Sequence, residues 1–229
     1  MPLPSSFCIV FDIETQELIS DITCASREDR VRGLNISCVS YLIIDSELLL
    51  SNGEAAVDAG QVKTLWNDSM RHPHDVFEEL LALFDNAEVI VSYNGLAFDH
   101  PVLERHYRRR RRHEAHLIKT HDVFSRLKEV TGVWFKLDQL LLCNDLPCKS
   151  GDGKMAVQLW KEKKYDALQE YCENDVIQLA HLVLRPFVKL AGSTTAIPSY
   201  LSGLASAVAA MRMSKKFLKM EGVGAQTNG

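Results

Sequence analysis

The chain has 229 residues, of which 46% are hydrophobic and 24% charged, a composition that excludes a disordered protein and a small disulfide-stapled fold. Its 26 basic and 30 acidic side chains give a net charge of −4, which argues against a protein that coats polyanions over its whole surface. One basic locus nevertheless stands out, because five consecutive arginines occupy residues 108–112.

The cysteines and the hydropathy of the chain indicate the cellular compartment of the protein. The six cysteines are scattered, without the close pairs that zinc sites and redox motifs use, and are expected to be reduced thiols. No uninterrupted apolar run approaches the ~20 residues that span a membrane, and no cleavable apolar stretch follows a basic N-terminal segment. The sequence predicts an intracellular protein that is not secreted and not embedded in a membrane.

The first part of the chain predicts three antiparallel strands. Residues 7–11 are continuously apolar and rich in strand formers, which is typical of a strand buried on both faces. After a long loop or irregular helix, a second strand is expected over 36–44. A third is expected over 48–50, after a tight reversal at Asp45 and Ser46.

Helices and strands then alternate. A helix from residue 74 leads to a strand at 89–91. A turn at Asn94 and Gly95 precedes a helix that begins at Pro101 and runs through the arginines. The order of elements implies an α/β fold with a mixed five-stranded sheet, three antiparallel strands followed by two parallel ones, flanked by helices.

The last part of the chain is predicted to be mainly helical. A fifth strand is expected at Leu117 and Ile118, ending near residues 121–122. Helices separated by turns follow at 123–130, 136–144 and 165–190, with a turn-rich loop at 147–153.

Two parts are expected, a domain over residues 1–191 and a C-terminal extension over 192–229. The extension would hold a short helix within 201–213 and then a disordered end. The apolar, small-residue segment of that helix either packs on the core, which we favour, or docks a partner protein.

Acidic side chains collect at the predicted carboxyl edge of the sheet. Asp12 and Glu14 are two apart at the end of the first strand, so both side chains point to the same face. Asp99 lies at the start of the helix after the fourth strand, and ligand sites in open α/β sheets gather at that edge. Two carboxylates this close repel each other unless a cation lies between them.

The long predicted helix contributes Tyr171 and Asp175, four residues apart on one face and beside its apolar stripe. Simpler explanations exist, because Asp99 could cap its helix, Asp175 could form a surface ion pair and Tyr171 could be a core residue. Asp122 is expected to cap its own helix, with a supporting role near the site as the alternative. Four carboxylates from three separate elements are nevertheless expected to meet at one edge.

Three segments resemble, in order, the motifs of the DEDD 3′-to-5′ exonucleases of the ribonuclease H-like superfamily. They are Phe-Asp-Ile-Glu-Thr at 11–15, Tyr93-Asn94-Gly95 with Phe98-Asp99, and Tyr-Cys-Glu-Asn-Asp at 171–175. The last has the Tyr-x-x-x-Asp spacing of the tyrosine (DEDDy) subgroup. The second motif and the run from Lys149 to Trp160 look most like predicted nucleases related to the proofreading domain of family B DNA polymerases.

The resemblance implies a ribonuclease H-like fold and a 3′-to-5′ exonuclease that releases nucleoside 5′-monophosphates from single-stranded DNA or RNA ends. The implied ligands of two divalent metal ions are Asp12, Glu14, Asp99 and Asp175. Hard oxygen ligands favour Mg²⁺ or Mn²⁺. Tyr171 completes the implied catalytic set, and because its ordinary pKa of about 10 makes it a poor base at neutral pH, it would aim the attacking water.

Further residues are candidate contacts to a single-stranded nucleic acid. They are Thr15, Asn94, Phe98, Arg108, Arg109 and Arg110. The turn explains Asn94 equally well, and the arginines could bind phosphates or form a solvated helix end. The sequence does not distinguish a DNA substrate from an RNA substrate, because recognition of the 2′-hydroxyl depends on pocket geometry.

Two other classes remain open from the sequence. One is a catalytically silent protein that uses a nuclease fold to bind nucleic acid or to act as a scaffold. The other is an endonuclease of the ribonuclease H type. The intact acidic set together with Tyr171 favours the exonuclease over the silent protein, and a targeting protein is a further candidate partner.

Overall fold

A computed structural model describes residues 3–24, 26–67, 73–148, 153–185, 187–192, 196–198, 207–210 and 212–213. Five strands form the main sheet: β1 (Phe7–Thr15), β2 (Ile36–Asp45), β3 (Gln61–Trp66), β4 (Val89–Ser92) and β5 (Thr120–Asp122). Their order across the sheet is β3-β2-β1-β4-β5. The β1–β2 and β2–β3 pairs are antiparallel and the β1–β4 and β4–β5 pairs are parallel, which confirms the predicted α/β class and mixed sheet.

Helices surround the sheet. They are α1 (Arg27–Arg32), α2 (Ser46–Ser51), α3 (Gly53–Asp58), α4 (Pro73–Asn86), α5 (Asp99–Leu103), α6 (Arg110–Lys119), α7 (Val123–Thr131), α8 (Leu137–Cys143), α9 (Gly153–Lys161) and α10 (Tyr165–Leu184). A small hairpin, β6 (Phe187–Lys189) and β7 (Ala196–Pro198), follows α10. Within the described ranges, no helix combines the length and apolar character needed to cross a bilayer.

The central strand β1 separates two apolar cores. Successive side chains of a strand point to opposite faces, so Val10 joins one core and Ile9 the other. The first core includes Val176 of α10, and the second includes Phe84 of α4. Of the nine residues of β1, eight are buried and Asp12 is partly exposed, so the strand carries an accessible carboxylate on an otherwise buried backbone.

The prediction of a third strand at 48–50 is wrong, because these residues belong to α2. The Asp45 carboxylate accepts the N–H groups of Glu47 and Leu48 at 2.8 and 2.9 Å, which caps a helix instead of closing a hairpin. The third strand is β3, an edge strand in which only Leu65 is buried. The other five residues are partly or fully exposed, which leaves a weak sequence pattern.

The predicted start of the fifth strand at Leu117 and Ile118 is wrong, since both residues lie in α6, whereas its predicted end near residues 121–122 is confirmed. Ile118 is 76% exposed, so these two apolar residues do not belong to a buried strand. The strand is β5, which starts at Thr120. The single helix predicted from Pro101 through the arginines divides into α5 and α6.

The long helix ends at Leu184 and not at residue 190, and β6 follows it. Ile197 and Val208, which belong to the predicted extension, lie in the same core as Val10. Residues 207–210 and 212–213 are helical within the segment predicted as a short helix. Residues 149–152 of the turn-rich loop, 201–206 and the predicted disordered end at 214–229 lie outside the described residues, and the boundary at 191/192 stays a prediction.

Candidate active site

Seven predicted site residues line one cavity of about 490 Å³. They are Asp12, Glu14, Thr15, Asn94, Phe98, Asp99 and Asp175. The cavity lies where β1 ends, where the chain leaves β4, and where α10 packs against β1 and β2. Four carboxylates from three separate elements therefore converge, as the sequence predicts.

Asp12 and Glu14 share one face of β1. A carboxylate oxygen from each lies within 4.8 Å of the other and of the Cys172 sulfur. The Cys172 Sγ lies 3.6 Å from Asp12 Oδ2, and this side chain is fully buried under the carboxylate. One cation could contact both acids at this spacing.

Asp99 lines the cavity but is almost completely buried, with 3% of its surface exposed. Its Oδ1 accepts the backbone N–H of Ile13 at 3.0 Å, which ties the start of α5 to β1. The alternative that Asp99 caps its helix is wrong, because Phe98 occupies the cap position. Burial, and then the charge of Asp12, raises the pKa of Asp99 well above its usual range, and a bound cation would offset both effects.

The turn between β4 and α5 is held by Asp122. Its carboxylate accepts the N–H groups of Asn94 and Leu96, both at 2.9 Å, and that of Ser125 at 3.1 Å. The last bond confirms the predicted helix cap. The first two fix the turn in which Asn94 adopts a left-handed conformation with φ of 63°. Asp122 thus supports the site from behind, by orienting the backbone that leads to Asp99.

Helix α10 supplies the other side of the site. Asp175 lines the cavity, while Tyr171 packs beside a small buried cluster that includes Cys172. Burial first, and then the charges of Glu14 and Asp175, raises the pKa of the Tyr171 phenol. The hydroxyl therefore stays protonated near the carboxylates and remains a hydrogen-bond donor.

Nine further residues that line the cavity were not predicted as site residues, among them Lys154, Tyr93, Leu18 and Ile19. Lys154, in the first turn of α9, brings a cation to the acidic cavity. Tyr93 lines it from the end of β4, and Leu18 and Ile19 add apolar surface from the segment after β1. The turn-rich loop predicted at 147–153 ends next to the lysine and was the available signal for it, but residues 18–19 carry no local pattern.

The arginine run does not line this cavity. Arg110 pairs with Glu114 at 2.9 Å and its side chain is 90% exposed. Arg112, in contrast, joins Glu78 and Asp85 of α4, each at 2.7 Å. The predicted substrate contacts of Arg108, Arg109 and Arg110 stay a prediction.

The sheet order and the acidic cavity at its carboxyl edge define a ribonuclease H-like α/β protein. A family model described as the RNase_H superfamily matches residues 48–185, which is more than half of the chain, and the chain therefore belongs to that superfamily. Nucleases with acidic sites commonly hold divalent metal ions there.

Other comparisons are more distant. No curated protein matches the chain significantly. Among solved structures, the chain is similar to the family B DNA polymerase from the hyperthermophilic archaeon Pyrobaculum calidifontis, with 13% sequence identity and a TM-score of 0.46. The similarity covers 79% of this chain and 25% of the polymerase, so the chain spans about a quarter of the length of that protein.

Proposed function

We propose that the protein is a 3′-to-5′ exonuclease of the DEDDy type, which hydrolyses phosphodiester bonds at single-stranded DNA or RNA ends and releases nucleoside 5′-monophosphates. The observation that carries the proposal is the convergence of Asp12, Glu14, Asp99 and Asp175 on one cavity, with Tyr171 packed against the buried cluster whose Cys172 lies beside Asp12. A scaffold protein has no need of four carboxylates in one cavity, where their mutual repulsion costs stability.

The donor set fits two divalent ions. The four proposed ligands are carboxylates, which favour Mg²⁺ or Mn²⁺ over softer metals. Asp12, Glu14 and Asp175 would hold one ion, and Asp12 with Asp99 the other. When bound, such ions neutralise charge on the phosphoryl oxygens and activate water for attack.

The remaining side chains bind and orient the substrate. Tyr171 donates a hydrogen bond that aims the attacking water, since its raised pKa keeps the phenol protonated. Lys154 places a positive charge in the cavity to attract the phosphate group. Phe98 with Leu18 and Ile19 offers apolar surface for the terminal base, and a cavity of about 490 Å³ is of the size that encloses a small ligand such as one nucleotide.

The test uses 5′-labelled single-stranded DNA and RNA with Mn²⁺ or with EDTA. We expect a ladder that shortens stepwise from the 3′ end with the metal and disappears with EDTA. Asp12→Asn and Asp175→Asn should each lower the rate at least about a hundredfold. Asp166→Asn is the matched control, because it removes the same charge from an exposed position of the same helix.

Three outcomes would contradict the proposal. Retention of the strand without shortening would indicate the silent binding protein. Cleavage of closed circular substrates would indicate an endonuclease. Unchanged turnover in Asp12→Asn would show that the cavity is not the catalytic site.

A further inference from the structure

The loop between α7 and α8 presents an aromatic side chain to solvent. Trp134 is 63% exposed, and the nearby Val133 and Val130 are 50% and 42% exposed. Phe135, the next residue, is 8% exposed and belongs to the core that includes Val10. The loop therefore anchors one aromatic ring in the protein and leaves the adjacent one free to contact a ligand.

Hydrogen bonds fix the backbone on both sides of Trp134. The Thr131 hydroxyl accepts the N–H of Val133 at 3.1 Å, and Gly132 ends α7 in a left-handed conformation with φ of 71°. On the other side, the N–H of Lys136 donates to Gln139 Oε1 at 3.1 Å. An exposed ring on a fixed backbone loses little conformational entropy when it binds, which favours its use as a contact surface.

This loop is joined directly to the candidate active site. The Tyr93 hydroxyl donates to the carbonyl oxygen of Phe135 at 2.6 Å, and Tyr93 lines the cavity. Because consecutive Cα atoms are about 3.8 Å apart, the Trp134 Cα lies within about 9 Å of that hydroxyl. The backbone of Trp134 therefore lies close to the part of the cavity wall that Tyr93 forms.

We propose that Trp134 stacks on a nucleobase of the single strand outside the cavity, on the 5′ side of the nucleotide that is removed. The inference rests on the proposed function, because a strand whose 3′ end enters the cavity must continue away from it in the 5′ direction. Aromatic side chains stack on any base, so this contact would bind strands without regard to sequence.

The charge of the loop fits a nucleic acid. Between residues 130 and 137 the one charged side chain is Lys136, which is exposed and positive, and the acids on either side are Glu129, which pairs with Arg126, and Asp138. A cation beside a stacking ring attracts the phosphate backbone. A protein partner fits less well, since a stable interface buries about 800 Å² on each side. Val130, Val133 and Trp134 offer much less than that.

The experiment compares two substrates of different length in Trp134→Ala, Trp134→Phe and wild type. The long substrate is a dT12 oligonucleotide, and the short one is the p-nitrophenyl ester of thymidine 5′-monophosphate, which reaches only the cavity. We expect Trp134→Ala to raise KM for dT12 at least about fivefold, the loss of one base-stacking contact, and to change hydrolysis of the ester much less. Trp134→Phe should recover most of the affinity for dT12, because it keeps an aromatic face.

Val133→Ala is the matched control, since it removes an exposed neighbour that has no ring. An unchanged KM for dT12 in Trp134→Ala would overturn the proposal, and so would an equal loss for both substrates. Binding is also measured without turnover, as quenching of tryptophan fluorescence by dT12 in Ca²⁺. Quenching in wild type that is absent in Trp134→Phe supports the stacking contact even if neither substrate is cut, whereas identical quenching in both proteins rejects it.

Discussion

At the scale of single residues, Gly95 decides whether the site can form. A Cβ atom at this position would lie 2.5 Å from the Ser92 Cβ and 3.3 Å from Asp99 Oδ2. The Gly95 carbonyl also accepts the N–H of His100 at 2.9 Å. The chain passes so close to Ser92 and Asp99 that only glycine fits without displacing one of them.

We therefore predict that Gly95→Ala lowers the free energy of unfolding by about 1 to 3 kcal/mol, the usual cost of overpacking. Metal-dependent cleavage should fall further than stability explains, because the carboxylate of Asp99 must move. Denaturant unfolding and the cleavage assay measure the two effects. Gly153→Ala is the stability control, since a Cβ there meets nothing within 4 Å; wild-type stability and activity in Gly95→Ala would refute the prediction.

At the scale of elements, part of the arginine run holds α6 against α4. The Asp85 carboxylate of α4 accepts hydrogen bonds from Arg112 and His116 of α6, each at 2.7 Å. Both side chains are largely buried, since His116 is 1% and Arg112 22% exposed. A basic run in the sequence thus contains at least one residue with a structural role.

This pairing predicts a pH-dependent contribution to stability. Burial raises the pKa of Asp85, but hydrogen bonds from Arg112 and His116 outweigh it and hold the pKa below the ordinary 3.8. Since a lowered carboxyl pKa means that the folded state binds fewer protons than the unfolded state, the contribution is present above pH 3.8 and is lost as pH falls through the folded value. Burial also lowers the pKa of His116 from 6.5. Below pH 6.5 the unfolded chain therefore binds a proton at His116 more readily than the folded protein does, which also lowers stability in acid.

Asp85→Asn should lower the melting temperature by about 2 to 4 °C at pH 7, a modest effect because Asp85 is 45% exposed and solvent screens the charge. The difference from wild type should shrink as pH falls below 3.8 and vanish once pH passes the lowered pKa of folded Asp85, where both proteins lack the charge. Thermal unfolding between pH 7 and pH 3 measures it. Glu129→Gln, which removes an exposed partner of Arg126, should have little effect, and a wild-type–variant difference that grows in acid would contradict the assignment.

At the scale of the whole molecule, the proposed metal binding at the cavity would couple to the stability of the fold. Burial is the main reason that the pKa of Asp99 is raised, and repulsion by the negative charge of Asp12 raises it further. Ions that bind the folded state alone stabilise it in proportion to the logarithm of their concentration over Kd. The proposed ligands come from β1, α5 and α10, so a bound ion would join elements that are far apart in sequence.

We predict that Mn²⁺ at about a hundredfold excess over Kd stabilises the wild type by about 2.7 kcal/mol and stabilises Asp175→Asn less. Melting temperatures with and without Mn²⁺ measure the shift. Asp166→Asn, with the same loss of charge on the surface of α10, should keep the wild-type shift. Equal shifts in wild type and Asp175→Asn would place the ions elsewhere.

The sequence predicted elements where one local pattern dominates. The continuous apolar run marks β1, and helical periodicity marks α7, α8 and most of α10. It failed where exposure weakens the pattern, as in the edge strand β3, and where a side chain caps a helix, as Asp45 does for α2. The hairpin of β6 and β7 was missed because its strands are three residues long.

The sequence by itself determined which site residues share a face. Residues two apart in a strand lie on the same face, as Asp12 and Glu14 do, and residues four apart in a helix lie on the same face, as Tyr171 and Asp175 do. The resemblance of its motifs also predicted the ribonuclease H-like superfamily, which the match of residues 48–185 to the superfamily model confirms. Only the tertiary structure decided that the Asp99 carboxylate bonds to Ile13, that Lys154 lines the cavity and that the Tyr93 hydroxyl bonds to the carbonyl of Phe135, the residue after Trp134. These contacts join residues tens of positions apart, and their geometry follows from the packing of helices on the sheet, which no local pattern encodes.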